Sequence, residues 1–245
     1  MSQTRFIHGF HAIAAKLRHQ PNAILEIYVD GGRHDARLRD LLKAAELHGV
    51  KVVPVERSRL TGMSGGTTRY RGAIARVQTD MKQVSLDDVL DTLEEPAFLL
   101  VLDGIQDPHN LGACLRVADA AGVHAIIAPK DRAVGLTQAA IKVASGAAES
   151  VPYITVTNLT RTLRELKERE IWVIGMDAEV QEDIYSASWP QACAWVLGSE
   201  KSGMRRMTKE TCDQLLSLPM YGSVGSLNVS VAAGVCLYEA RRRRG

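Results

Sequence analysis

The sequence predicts an α/β protein in two parts, and three observations predict it. Strand-like and helix-like patterns alternate along most of the 245 residues, as they do in domains built on a parallel sheet. Phe98-Leu99-Leu100-Val101-Leu102 is a near-continuous apolar run, which suits a strand buried on both faces. Residues 81–96 carry one lysine against five carboxylates and separate a basic first third from a charge-balanced remainder. The predicted organisation is a small α/β domain over 1–77, a linker over 78–96 and a larger parallel-sheet α/β domain over 97–245.

In the first part, His8-Gly9-Phe10-His11 leads into a helix to about Leu17, and Ala23–Val29 reads as a strand. Leu38–His48 is helical, and Gly49 after it suits a left-handed cap. Lys51–Val55 and Gly72–Val77 read as strands. Between them, Arg57–Arg71 holds Gly62, Gly65 and Gly66, too many glycines for a regular element, so a loop is expected. The linker contains a short helix over Leu86–Leu93 with Asp87 and Asp88 near its start, where the helix dipole favours them.

In the second part, strands are expected at Phe98–Leu102, Ala125–Ala128, Tyr153–Val156, Ile171–Gly175, Ala194–Gly198 and Leu215–Leu218. Helices are expected near Leu136–Val143, over Asn158–Arg169 and over Ser226–Arg241. A four-arginine tail, Arg241–Arg244, is left either to bind RNA or to be disordered.

Composition narrows the function classes. Hydrophobic residues make up 46% and charged residues 24%, the balance of a soluble globular protein. No apolar run is long enough to cross a bilayer and no signal-peptide core is seen, so a cytoplasmic protein is expected. Cys114, Cys193, Cys212 and Cys236 stand far apart among apolar neighbours, which predicts reduced, mostly buried thiols rather than a zinc or disulfide framework. Residues 1–80 carry 13 Lys and Arg against 7 Asp and Glu, a basic excess suited to a phosphate backbone.

Three segments carry polar residues at strand ends. Asp107-Pro108-His109-Asn110-Leu111-Gly112 with Arg116 follows the first strand of the larger domain. Asn110 reads there as an N-cap, and Gly112 as a place for close ligand approach. Leu197-Gly198-Ser199-Glu200 comes straight off a buried strand, where open α/β sheets bind ligands. Leu218-Pro219-Met220 precedes Ser226-Leu227-Asn228-Val229-Ser230, a strand end and then a helix start with free N–H donors. Neither a P-loop nor a GxGxxG turn is present. His8, His11, His109 and His124 are scattered without a nucleophilic partner, and Asp103 and Asp107 lack further ligands, so neither a catalytic histidine nor a metal is expected.

These segments, in this order and spacing, resemble the signature of the SpoU family, RNA ribose 2′-O-methyltransferases with a knotted α/β fold. The resemblance covers nearly the whole chain. His8-Gly9-x-His11-Ala12, Leu102-Asp103-Gly104-x-x-Asp107-Pro108-His109-Asn110 and Lys142-Val143-Ala144-Ser145-Gly146-Ala147-Ala148-Glu149 are similar to a bacterial subgroup that methylates 23S rRNA. It implies a ribosomal-protein-like RNA-binding domain followed by a domain with a deep trefoil knot. It further implies S-adenosylmethionine as cofactor and a guanosine in the peptidyl-transferase region of domain V as target. A homodimer is implied too.

By position, the resemblance makes Arg116 the catalytic residue, acting as base or as electrostatic positioner. Asn110, Glu200, Ser226 and Asn228 stand beside it around the target ribose. Gly198, Leu218 and Leu227 are implied to contact the cofactor, with Leu197, Met220, Gly175 and Met176 as further candidates. Arg59, Arg69, Tyr70 and Arg71 are implied to bind RNA; Tyr70-Arg71 stands where relatives commonly carry His-Gln. Two alternatives remain, a tRNA ribose methyltransferase of the same family and a non-catalytic rRNA-binding or ribosome-assembly factor.

Overall fold

The computed structural model describes residues 4–64, 72–78, 84–199 and 202–245. In chain order the first elements are β1 (Thr4–His8), α1 (Phe10–His19), β2 (Ile24–Asp30), α2 (Ala36–Leu47), β3 (Val52–Val55), α3 (Arg57–Met63), β4 (Ala73–Gln78) and α4 (Leu86–Leu90). There follow β5 (Phe98–Asp103), α5 (Pro108–Ala121), β6 (Ala125–Pro129), α6 (Gln138–Ala144), α7 (Ala147–Ser150), β7 (Tyr153–Val156) and α8 (Leu159–Glu168). The last are β8 (Trp172–Met176), β9 (Cys193–Gly198), α9 (Arg206–Thr211), β10 (Gln214–Leu216) and α10 (Val229–Arg244). Contacts group Met1–Gln83 with Ser145–Ser150 as one unit, and Val84–Ala144 with Val151–Gly245 as the other.

The first unit is a four-stranded mixed sheet in the order β1-β4-β2-β3. Alternation along β2 builds two cores. Ile27 and Val29 point to the face covered by Phe10, Ile13 and Leu17 of α1 and Leu38 and Leu41 of α2. Tyr28 points to the other face and packs with Leu60 and Ile74. That second core corrects the expected loop: Arg57–Met63 is a helix, because burying Leu60 outweighs a glycine at its end. The strand β1 lacked a sequence signal, since only Ile7 of its five residues is buried; it forms by antiparallel pairing with β4. Glu149 of α7 is buried in this unit and takes Arg5 at 2.9 Å and Lys16 at 3.2 Å.

The second unit is a six-stranded, all-parallel sheet in the order β10-β8-β9-β5-β6-β7. Every residue of β5 is buried, as its apolar run requires. Leu159, Leu163 and Leu166 of α8 and Val89 of α4 cover one face. The buried side of α5, with Leu111, Cys114, Leu115 and Ala118, packs with α10. Polar residues set the helix starts. Ser85 and Asp88 form a capping box on α4, Asn158 caps α8 through the Arg161 amide at 3.0 Å, and Asp107 caps α5 through the His109 amide at 2.8 Å.

Three further expectations are corrected by the structure. Asn110 is not the cap of α5: Asp107 is, with Pro108 in the first turn. The last helix starts at Val229 rather than Ser226, and Asn228 caps it. The arginine tail is not disordered: it continues α10 to Arg244. Arg243 stacks on Trp189 at 4.0 Å and donates to the carbonyls of Ile184, Tyr185 and Ala187. Arg244 donates to the carbonyls of Gln191 and Pro96.

All four cysteines are free thiols, three of them buried, and burial pushes Cys193 up to about 11. Among the described residues, no helix is long and apolar enough to cross a membrane. No group of three or more His, Cys, Asp or Glu among them is placed to hold a metal ion.

Candidate active site

The carboxyl ends of β8, β9 and β10 open onto one cavity of about 450 Å³, within the size range of small-molecule sites. Its position follows from the strand order. The chain runs outward from β5 to β6 and β7, then returns so that β9 lies on the other side of β5. Such a switch leaves a crevice at the strands' carboxyl ends.

Leu197 and Gly198 end β9, Met176 ends β8, and Leu218, Met220 and Leu227 lie on the segment between β10 and α10; all six line the cavity. Ser226 lines it as well. Apolar walls with backbone amides and hydroxyls between them fit an adenosine-bearing ligand with an aliphatic arm. Leu197, Leu218 and Leu227 offer flat apolar contact, and Ser199, Ser202 and Ser226 offer hydrogen bonds.

Gly198 is required by a close approach of backbone to backbone. A Cβ there would stand 2.0 Å from the Gly203 carbon and 2.1 Å from the Met204 nitrogen. The loop after β9 therefore folds back onto the strand that it leaves. Ser199 and Gly203 exchange backbone hydrogen bonds of 2.8 and 3.1 Å. Buried Asp103, at the end of neighbouring β5, fixes the loop's far side by accepting the Arg205 amide at 2.9 Å and its Nε at 2.7 Å.

One expected glycine role is corrected, that of Gly112. Gly175, whose backbone is a further candidate for cofactor contact, is not among the lining residues, and a side chain there would meet Cys212, Leu215 and Met204, each at 2.8 Å. Gly112 faces α6, with the Ala140 carbonyl 2.5 Å from a would-be Cβ, so its bareness serves helix packing and not a ligand.

The first and third segments meet through their asparagines. Asn228 donates from Nδ2 to Asn110 Oδ1 at 3.0 Å, while its own Oδ1 accepts the Ser230 amide at 2.9 Å and hydroxyl at 2.7 Å. Neither asparagine lines the cavity. Arg116 is exposed on α5 and is not a lining residue. Its side chain has no hydrogen-bond or ion-pair partner among the described residues. Six residues of helix set it about 240° around the axis from Asn110. Arg59 is exposed on α3 of the other unit. Glu200, Arg69, Tyr70 and Arg71 lie outside the described residues.

Sequence reasoning missed a charged wall. Asp177, Glu179 and Lys209 line the same cavity, and Lys209 pairs with Asp177. The available signal was an acid placed directly after a buried strand.

Comparison with known proteins agrees with this geometry. Residues 97–238 match the SpoU rRNA methylase family, and residues 6–81 match the RNA 2′-O ribose methyltransferase substrate-binding family. The 23S rRNA (guanosine-2′-O-)-methyltransferase RlmB of Ralstonia nicotianae is 57% identical over 244 residues, covering 100% of this chain and 98% of the relative. The Escherichia coli protein of the same name is 49% identical over 243 residues, covering 98% of this chain and 99% of the relative. Among solved structures, the SpoU methyltransferase AviRb from Streptomyces viridochromogenes, in complex with AdoMet, shares the fold. Its TM-score is 0.76 at 24% identity, covering 98% of this chain and 89% of that one. With both halves matched in order and full-length relatives at this identity, the chain belongs to the SpoU rRNA methylase family.

Proposed function

We propose that this chain transfers a methyl group from S-adenosylmethionine to the ribose 2′-hydroxyl of a guanosine in 23S rRNA, in the peptidyl-transferase region of domain V. One observation carries the reading: a chain 57% identical over its full length to a methyltransferase of that name gathers its second and third motif segments around one cavity of cofactor size. Bound there, S-adenosylmethionine supplies a sulfonium methyl group that needs no further activation.

The protein's own residues then have to hold the ribose and manage the charge that develops on its 2′-oxygen. Leu197, Gly198, Leu218, Leu227, Met220 and Met176 form the cofactor's bed. Arg116 is the electrostatic partner. A guanidinium stays protonated, so its task is to donate N–H bonds to a phosphate and to the emerging alkoxide, and positioning supplies much of the rate. Asn110 and Asn228, tied to each other, fix the site's edge where the ribose enters, and Ser226 and Glu200 add polar anchors. In the N-terminal unit, Arg59, Arg69 and Arg71 engage phosphates and Tyr70 stacks on an unpaired base. An rRNA substrate places the reaction in the cytoplasm.

The working form is a homodimer. Val231 and Tyr238, seven residues apart on one face of α10, are 51% and 55% exposed, and Tyr221 and Val224 on the segment before α10 are 94% and 61% exposed. Exposed apolar residues on one helix face suit a partner surface. A second copy also answers the geometry of Arg116, which neither lines the cavity nor shares a helix face with Asn110.

The test is 23S rRNA from cells lacking the protein, digested to nucleosides and measured by mass spectrometry. One 2′-O-methylguanosine per 23S rRNA should be missing, restored by the wild-type chain and not by Arg116→Ala. An unchanged 2′-O-methylguanosine content would overturn the proposal.

A further inference from the structure

The charged wall of the cavity has no task in the transfer step. Asp177 is the first residue after β8. Gly175 pairs with Val196 across β8 and β9, so carrying the register on by two residues sets Asp177 level with Gly198. Both stand at the strand ends, where the crevice opens. The Asp177 side chain is only 13% exposed, and Lys209 pairs with its Oδ2. Its Oδ1 accepts the Glu179 amide at 2.9 Å. The Glu179 carboxylate stands 3.7 Å from the same lysine nitrogen and is 87% exposed.

Burial pushes the Asp177 carboxyl up, but the Lys209 ammonium and the Glu179 amide outweigh it and hold the group below the usual carboxylate range. The carboxylate is thus ionised and oriented at neutral pH. It offers about four acceptor positions, and the two contacts named leave acceptor capacity toward the cavity.

The chemistry of the wall selects the donor. Lys209 already balances the Asp177 charge, so neutral hydroxyls suit the remaining acceptor positions better than a second ammonium, which would compete for the same oxygens. Met176, Leu197 and Leu218 beside it are apolar surfaces suited to a purine. A carboxylate next to a purine slot is matched by a vicinal diol, whose two hydroxyls both donate. We infer that Asp177 binds the ribose 2′- and 3′-hydroxyls of the cofactor's adenosine, and that Lys209 is the positioning residue that holds Asp177 in place. This rests on reading the cavity as the S-adenosylmethionine site.

The test is calorimetric binding to the full-length chain. The ligands are S-adenosylhomocysteine, methylthioadenosine (which keeps the ribose and lacks the amino-acid end) and the 3′-deoxy form of methylthioadenosine. Losing a hydrogen bond to a charged group weakens binding by about tenfold or more. Wild type should therefore prefer methylthioadenosine to its 3′-deoxy form by about that factor. Asp177→Asn should weaken S-adenosylhomocysteine and methylthioadenosine alike and bring the deoxy ratio close to one. Lys209→Met, which keeps the carboxylate but not its anchor, should reduce the deoxy ratio while retaining part of it, and it serves if Asp177→Asn does not fold.

Weakening of S-adenosylhomocysteine without weakening of methylthioadenosine would place Asp177 at the amino-acid end and overturn the inference. So would a deoxy ratio unchanged from wild type in either variant. A wild-type chain that binds none of the three would overturn the reading of the cavity itself.

Discussion

Asn228 donates to Asn110 across 118 residues of sequence, at 3.0 Å, while its own carbonyl oxygen caps the last helix. One side chain therefore does two jobs. It starts α10, and it ties that helix's first turn to the first turn of α5. The two jobs separate by substitution. Asn228→Ala removes both and should cost about 1 kcal/mol of stability, the worth of an N-cap. Asn228→Ser keeps a capping oxygen but is too short to reach Asn110. It should melt near wild type and still lose turnover, as thermal melts and methyl transfer measured side by side will show. Full turnover in Asn228→Ser would show that the bond between the two asparagines plays no part in catalysis.

Arg116 stands apart from the cavity, so its loss should be felt in the chemical step and not in cofactor binding. Arg116→Ala should lower kcat by about 10²–10³, the scale of one lost electrostatic donor, with an unchanged Kd for S-adenosylhomocysteine. Arg116→Lys keeps the charge, lacks the planar fork and should restore little. In a homodimer whose site draws Arg116 from the second copy, mixing Arg116→Ala subunits with Leu227→Arg subunits should give turnover that neither has alone. Inactive mixtures of well-folded heterodimers would confine Arg116 to its own subunit's site.

Gly198 admits no side chain, because the backbone of Gly203 and Met204 occupies the space. Backbone cannot rotate aside as a flexible side chain does. Gly198→Ala should therefore destabilise the larger unit by about 3 kcal/mol, the upper range of overpacking, and abolish cofactor binding. Denaturant melts and calorimetry read both. An alanine variant with wild-type stability would contradict the close approach.

Glu239 gives a pH dependence with a definite sign. Arg242, then Arg243, hold its carboxyl down to about 2 in the folded chain. A carboxyl with a lowered folded value contributes stability above its unfolded value of about 4.5. That contribution fades as pH falls toward 2. Glu239→Gln should melt below wild type at pH 7, and the gap should close as pH falls from about 4.5 toward 2. A gap constant across that window would show that the carboxylate's charge is not what matters.

Much of the fold was legible because burial leaves a pattern. The apolar run Phe98–Leu102 became a strand buried at every position. Polar residues at the ends of β9 and β10 marked where the crevice opens. What stayed hidden depends on partners distant in sequence. Arg57–Met63 reads as a loop until Tyr28 and Ile74 give Leu60 somewhere to go. Gly112 reads as a place for close ligand approach, yet a neighbouring helix fills its space. The tail arginines read as free charge, and only the fold shows Trp189 beneath Arg243. Asp177 and Lys209 are ordinary charged residues until the fold of α9 brings them into one wall.

The reaction is methyl transfer to a ribose of 23S rRNA. Its most direct test uses methyl-labelled S-adenosylmethionine with 23S rRNA and, separately, tRNA from cells lacking the protein, followed by alkaline hydrolysis. A methylated 2′-oxygen cannot attack the neighbouring phosphate, so the product survives as a dinucleotide. Label is expected in an alkali-resistant dinucleotide from 23S rRNA, with guanosine as the methylated residue, and none in tRNA. Label confined to tRNA, or released by alkali as a mononucleotide, would rule out ribose methylation of 23S rRNA.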